Sequence, residues 1–357
     1  MGETSQLFQV LLGLFWRYFY RPELQRAQEL GEQLFHLAQS KQDPSLIYHA
    51  HYTLLATSFW LGNISSAQEH LEQGIALNDP QLHSSHSYFF GGTDSEVTFL
   101  VYAARILWLL GYPDQAVRKS YEALTLAREI SHPHTLAYAS VIALWVLGLC
   151  REAQALLEKA EETITISSDH GFPQWLASGT VHRGYALTLF CSEPDTTQGQ
   201  IDEGIAQIRQ GLDAWVATGS ELVKTHILVL LADAYWKAGQ AKKGLTVLAE
   251  ALDAVKKTGV RLWEAELYRL KGELLIAQSA GNQRVAESCF KQALEFSQKQ
   301  QAKSLELRAT MSLSRLWQSQ GKKEDARSLL SEIYGWFTEG FDTADLKDAK
   351  ALLDALS

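Results

Sequence analysis

The sequence predicts an all-α solenoid of about eight helical hairpins, wound into a right-handed superhelix and closed by a C-terminal capping helix. Three observations carry that prediction. Apolar residues recur at helical rather than strand spacing along nearly the whole chain, hairpin-like units repeat with a period of about 40 residues, and Gly plus a few polar residues divides each unit.

The unit is plainest at Leu231–Leu252, LADAYWKAGQAKKGLTVLAEAL, where AGQ separates two apolar-periodic halves. Related stretches begin at Tyr52, Tyr102, Ala139 and Met311. A small residue near the start of the second helix serves as a ruler: Ala27, Ala67, Ala116, Ala153, Gly204, Gly244, Ala286 and Ala326, spaced 40, 49, 37, 51, 40, 42 and 40 apart. Twelve residues upstream, six units place a first-helix slot at Phe15, Leu55, Ala104, Val141, Ala232 or Ser314; Gly184 and Gly272 take that role in the other two. The hairpins are predicted at about 6–40, 46–78, 96–130, 134–167, 174–218, 221–258, 262–300 and 303–337, in one domain with a capping helix over about 343–356. Small residues at the ruler positions should pack against the preceding helix. FCSEPDTTQGQ, Phe190–Gln200, and the stretch 83–96 are expected as surface loops, because Pro194, Gly199 and polar residues do not extend a buried helix.

The ends differ. FDTADLKDAKALLDAL offers Asp342 or Thr343 as an N-cap and a polar-faced helix that closes a stack, so the C-terminus reads as finished. Gln6–Tyr20 is apolar or aromatic on nearly every face, as a helix covered on both sides would be, so the N-terminus reads as cut.

The pattern of a mid-helix small residue, a turn glycine and an early second-helix Ala resembles the tetratricopeptide repeat (TPR). Gly62, Gly111, Gly148, Gly239 and Gly321 match its turn, and Tyr235 and Trp317 follow the small slot by one turn. HLEQGIAL, LLGYPDQA, GIAQIRQGL, GLTVLAEAL, EAELYRLKGELL and IYGWFTEGFDTADLKDAKALL together resemble a longer-linker variety. That variety occurs in maltose-regulator-like signalling ATPases, and in the C-terminal arrays of bacterial proteins joining an adenylate/guanylate cyclase to an AAA- or NACHT-type ATPase. The chain has no G-x-x-x-x-G-K-[ST] loop and no cyclase motif, so the resemblance implies a regulatory array without the catalysis.

Composition agrees with a non-catalytic, cytoplasmic protein. The formal charge of −9 argues against nucleic-acid or anionic-membrane binding, which need a basic face. Cys150, Cys191 and Cys289 show no metal, redox or disulfide spacing. LFQVLLGLFWRYFY is too short for a bilayer and is broken by Arg17. His49/His51 and His132/His134 stand at i,i+2, which on a helix points them apart, and His83/His86 lie in a loop, so no metal or cofactor site is expected. No G-x-S-x-G occurs, and the carboxylate pairs Glu161/Glu162 and Asp202/Glu203 fall at helix starts or exposed faces.

In the TPR resemblance, first helices line the concave face at residues flanking the small slot. The first four hairpins then project Trp16, Phe19, Tyr20, Tyr52, Phe59, Trp60, Arg105, Trp108, Tyr138 and Trp145, and the last four Tyr185, Asp233, Trp236, Lys237, Arg269, Glu273 and Arg315. The groove thus divides into an aromatic half and a charged half. The Lys/Asn clamp of chaperone-tail binders is lacking, which argues against an acidic C-terminal tail as ligand. Trp16, Phe59, Trp60 and Trp108 are expected to keep surface exposure as a partner-binding patch. The function so read is a protein-interaction and sensing module for a protein, a peptide or a small-molecule inducer. It would regulate an attached ATPase/cyclase in bacterial signal transduction, with a free-standing adaptor or an unrecognised enzyme as alternatives.

Overall fold

The structure, a computed structural model, describes residues 3–77, 92–190 and 197–357, and among these it holds seventeen α-helices and no strand. The helices are α1 (Glu3–Tyr20), α2 (Leu24–Lys41), α3 (Pro44–Leu61), α4 (Ile64–Ala76), α5 (Ser95–Leu109), α6 (Pro113–Ile130), α7 (Pro133–Cys150), α8 (Ala153–Asp169), α9 (Pro173–Leu189), α10 (Gln198–Ala217), α11 (Lys224–Lys237), α12 (Ala241–Thr258), α13 (Glu264–Gln278), α14 (Gln283–Gln300), α15 (Lys303–Ser319), α16 (Lys323–Tyr334) and α17 (Ala344–Ala355). Consecutive helices pack on one another, and from α3 onward each odd-numbered helix also packs on the next odd-numbered one.

That double contact explains the burial pattern. Even-numbered helices carry one apolar stripe, whereas the odd-numbered helices from α3 to α15 are covered on several sides: α3, α5 and α7 read as apolar nearly all round, and α13 and α15 bury charged residues such as Glu266, Arg269 and Glu306 as well. Every residue from Ala139 to Cys150 in α7 is buried. α7 is long and apolar enough to cross a membrane, and 78% of it lies inside the solenoid. Cys150 and Cys289 are buried, free thiols; Cys191 falls outside the described residues.

The predicted ruler holds at most units. Ala27, Ala67, Ala116, Gly244, Ala286 and Ala326 are each the fourth residue of their helix and each is buried. Gly244 differs in what it faces: a Cβ there would meet Leu274 of the following α13 at 2.7 Å, not the preceding helix. The fourth hairpin is offset. Ala153 is only the first residue of α8 and half-buried, Leu156 takes the buried slot, and Gly148 lies inside α7. Arg151, at φ 62°, supplies the left-handed turn that Gly62, Gly111, Gly239 and Gly321 supply elsewhere.

Two expected loops are partly helix. Residues 78–91 and 191–196 lie outside the described residues, His83 and His86 among them. Asp94 caps α5 by accepting from the Val97 amide, so Ser95 and Glu96 are helical. Thr197 and Gln200 form a reciprocal capping box on α10, which places Gly199 in its exposed first turn.

The chain also closes on itself, four to five hairpins apart. The Glu221 amide donates to Tyr20 O (3.4 Å) at the end of α1, and the Arg261 amide to Trp60 O (3.0 Å) near the end of α3. Ser304 Oγ donates to Trp108 O (2.5 Å) in α5, and Arg308 Nη2 to Leu149 O (2.6 Å) in α7. Arg151 reaches Asp345 (3.3 Å) and Asp348 (2.7 Å) of α17. The C-terminal carbonyls of four successive first helices, which have no partner within their own helix, are thus satisfied by the next turn of the solenoid, with helix C-termini facing N-termini in the favourable dipole sense.

Candidate functional site

Closure roofs over the concave face and leaves two separate chambers. The first encloses about 710 Å³ of empty space, its mouth included. Its walls are Phe19, Tyr20, Tyr52, Trp60, Tyr102, Arg105, Tyr138 and Trp145 from the first turn, Trp175 and Trp215 from the fifth hairpin, and Ser220, Leu222 and Val223 from the segment before α11. Among the described residues, Arg105 is its sole charged lining residue. The guanidinium stacks 4.2 Å from the Tyr102 ring centroid, 4.6 Å from Phe59 and 5.5 Å from Trp145. Its Nε donates to Val101 O (3.3 Å), while Nη2 is buried without a partner. Trp60 meets Trp145 edge-on at 5.8 Å, and Trp145 stacks on His226 at 3.8 Å. Burial drives the hydroxyls of Tyr52, Tyr102 and Tyr138 above the usual phenol range, keeping them protonated donors.

The second chamber, about 800 Å³, is ionic. Five cations, Arg151, Lys237, Arg269, Arg308 and Arg315, share it with five carboxylates, Asp233, Glu266, Glu273, Asp345 and Asp348. Arg269 forks onto Glu266 (2.9 and 2.7 Å), and Arg308 binds Asp345 (2.7 Å). Asp233 accepts from Tyr185 (2.9 Å) and Lys237 (2.5 Å). Burial alone would raise the Asp233 pKa, but the adjacent Lys237 ammonium, the Arg269 guanidinium and the Tyr185 hydroxyl together outweigh it and hold the carboxyl below the usual range. The network compensates its own charge.

Of the groove residues predicted from sequence, Phe19, Tyr52, Trp60, Arg105, Tyr138 and Trp145 come together in the aromatic chamber. Tyr185, Asp233, Trp236, Lys237, Arg269 and Arg315 come together in the ionic one. Trp16, Phe59 and Trp108 line neither. Trp16 is half-buried against Tyr52 (5.6 Å), Phe59 lies beneath Arg105, and Trp108 lies beneath the Arg308 guanidinium (4.9 Å). The expected exposed patch is not present: Phe59, Trp60 and Trp108 are 1%, 3% and 2% exposed, Phe59 packed on Tyr102 and Trp60 on Trp145 of the same turn, and Trp108 covered by Arg308 of the next.

Of the histidine pairs, the His132 and His134 ring centroids lie 6.4 Å apart. His51 Nδ1 lies 3.1 Å from His70 Nδ1, and His134 Nδ1 lies 2.9 Å from Gly92 O.

The TPR family profile matches residues 224–299. No curated protein sequence matches the chain. Among solved structures, the chain is similar to the Rap conjugation gene regulator of plasmid pLS20 in complex with the Phr* peptide, at TM-score 0.59 and 11% identity over 98% of this chain and 96% of that one. A Rap protein complexed with competence and sporulation factor gives 0.56 and 9% over 98% of both chains. Aspartyl phosphate phosphatase F from Bacillus subtilis gives 0.51 and 9% over 93% and 94%. At these identities the likeness is one of fold. The protein is an all-α TPR-like solenoid.

The TPR-like register also shows what was missed. Ser178, Glu266 and Arg308 sit six residues before the small slots Gly184, Gly272 and Ser314, one helical turn further along the same face, so extending the ruler by a turn finds them. Arg151, Asp345 and Asp348 come from a turn and the terminal helix, and only closure of the TPR-like solenoid brings them in.

Proposed function

We propose that the protein is a cytoplasmic, non-catalytic interaction and sensing module that binds a peptide, or an extended segment of a partner protein, in the aromatic chamber. One observation carries this reading: the chamber walls come from both turns of the solenoid, Tyr20, Trp60 and Arg105 on one side and Ser220, Leu222 and Val223 on the other. A ligand that touches both sides binds the closed form better than an opened one, and that difference in affinity is what shifts a conformational equilibrium. Two solved proteins of similar fold hold a peptide or a named factor, which supports the ligand class. An ATPase or cyclase domain in the same polypeptide is the effector suggested by the sequence resemblance, and a small-molecule inducer is an alternative occupant. A partner in trans would make the protein an adaptor.

The test is affinity selection from a random heptapeptide pool, followed by hydrogen exchange on the complex. Retained peptides should raise the melting temperature and slow exchange at the Arg261 amide, which donates across the seam to Trp60. Retention of no peptide refutes the reading.

A further inference from the structure

The two chambers handle charge in opposite ways. In the ionic chamber each of the buried cations Arg269 and Arg308 has a carboxylate within 3 Å. In the aromatic chamber Arg105 is 4% exposed, and among the described residues no Asp or Glu lines the walls and Nη2 has no acceptor. Removing a guanidinium from water without a counter-ion costs several kcal/mol, and ring stacking offsets only part of that. Stacking satisfies the faces of the guanidinium, the Val101 carbonyl and the Tyr102 and Tyr138 hydroxyls accept along its edge, and Nη2 alone is left over.

The other unpartnered atoms of the chamber point the same way. Trp145 Nε1 and Trp215 Nε1, which can only donate, are buried without acceptors, as is Ser220 Oγ. The walls therefore leave several buried donors without an acceptor, on surfaces that are otherwise largely aromatic.

We propose that the aromatic chamber is an anion-binding subsite that takes a carboxylate carried next to an aromatic or flat apolar group, with Arg105 as the anchor. A single guanidinium matches a single negative charge, and a phosphate dianion would leave one charge uncompensated among rings. The carboxylate is a peptide C-terminus or an Asp/Glu side chain, both offering the same planar pair of acceptors. This rests on the peptide-binding reading above and sharpens it. It also revises the sequence-based argument against an acidic ligand, which considered only a Lys/Asn clamp.

The experiment presents the full chain with three heptapeptide pools: one with free C-termini and no Asp or Glu, one amidated with Asp and Glu allowed, and one amidated without acids. Retention is read by size exclusion and mass spectrometry. One of the first two pools should be retained about tenfold or more above the third, and which one identifies the source of the carboxylate. Arg105→Gln should abolish that preference. Equal retention of all three pools overturns the inference and leaves the binding function standing; retention of none removes both. An acid preference that survives in a folded Arg105→Gln chain also overturns it. If that variant fails to fold, the acid-versus-amide comparison on the unaltered chain decides.

Discussion

Gly184→Ala offers a sharp test of how the middle of the solenoid is built. A Cβ at Gly184 in α9 would lie 2.5 Å from Gly204 O and 2.9 Å from Ile208 N in α10, and one at Gly204 would lie 2.6 Å from Gly184 O. The obstacles are backbone atoms, so no side chain can swing aside. Carbon and carbonyl oxygen settle at about 3.3 Å, so the two helices must part by roughly 0.8 Å. A gap of that size forfeits about a quarter to a half of each dispersion contact along the seam. Overpacking of this kind costs about 1–3 kcal/mol, and contact with backbone belongs at the upper end. Alanine returns about 1 kcal/mol of helix propensity. The net expectation is destabilisation by about 2 kcal/mol.

Gly13→Ala is the matched control. Gly13 also sits in a helix interior, but a Cβ there meets nothing within 4 Å, so only the propensity gain of about 1 kcal/mol remains. Urea denaturation followed by circular dichroism at 222 nm should give midpoint shifts of opposite sign for the two variants. If Gly184→Ala is as stable as the unaltered chain, or gains like Gly13→Ala, the close crossing of α9 and α10 is wrong.

Four further expectations follow from the same contacts. Gly244→Leu should lose about 1–3 kcal/mol in the same urea assay, because its first carbon already lies 2.7 Å from Leu274 Cδ2; unchanged stability would contradict the packing of α12 on α13. His51 and His182 are buried, and burial pushes each down to about 4, while His226 is driven well below its usual value; the unfolded chain binds these protons near 6.5, so stability is present above that pH and is lost as pH falls toward 4. That amounts to about 2 kcal/mol per such histidine between pH 7 and pH 5, and an unchanged urea midpoint would contradict it. Asp345→Ala should cost about 3 kcal/mol by removing the nearest carboxylate from the mostly buried Arg308, leaving it the Leu149 carbonyl and the more distant Glu266, with faster exchange in α17, and exchange unchanged there would mean the latch carries no load. Trp60→Ala with Trp108→Ala should unfold the chain, whereas Tyr138→Ala, at a half-buried wall position, should keep helicity and weaken peptide retention about tenfold or more.

How much was legible in the sequence depended on whether the information was local. Hairpin spacing is local, and Ala67, Ala116 and Gly244 mark it directly. The slip at the fourth hairpin did little damage for a physical reason: moving the slot by three residues, from Val141 to Leu144, nearly completes a helical turn, so Tyr138 and Trp145 stay on the concave face. The split into aromatic and ionic halves was likewise readable, since it follows from one face of each first helix. The burial of Trp60 and Trp108 was not. Arg308 covers the Trp108 ring, and Arg261 and Ser304 bond the Trp60 and Trp108 carbonyls, all from five hairpins on, and the period of a repeat says nothing about how tightly its superhelix winds.

That tight winding decides whether the solenoid can act as a sensor at all. Opening the seam sacrifices a few hydrogen bonds to helix-end carbonyls, each worth about 1 kcal/mol net, together with aromatic surface beside Trp60 and the Asp345 latch. A ligand must supply a comparable difference between the two forms, and reversing a 1:99 population takes about 5.5 kcal/mol. A carboxylate on Arg105 contributes about 1.5–3 kcal/mol, and aromatic contacts about 0.5–1.5 kcal/mol each. Contacts of that size supply affinity, but only the part that needs Leu222 and Val223 held against Tyr20, Trp60 and Arg105 is lost on opening and so shifts the equilibrium. A ligand seated on one turn alone would gain as much affinity and shift nothing, so the placement of the chamber across the seam matters more to sensing than the number of rings within it.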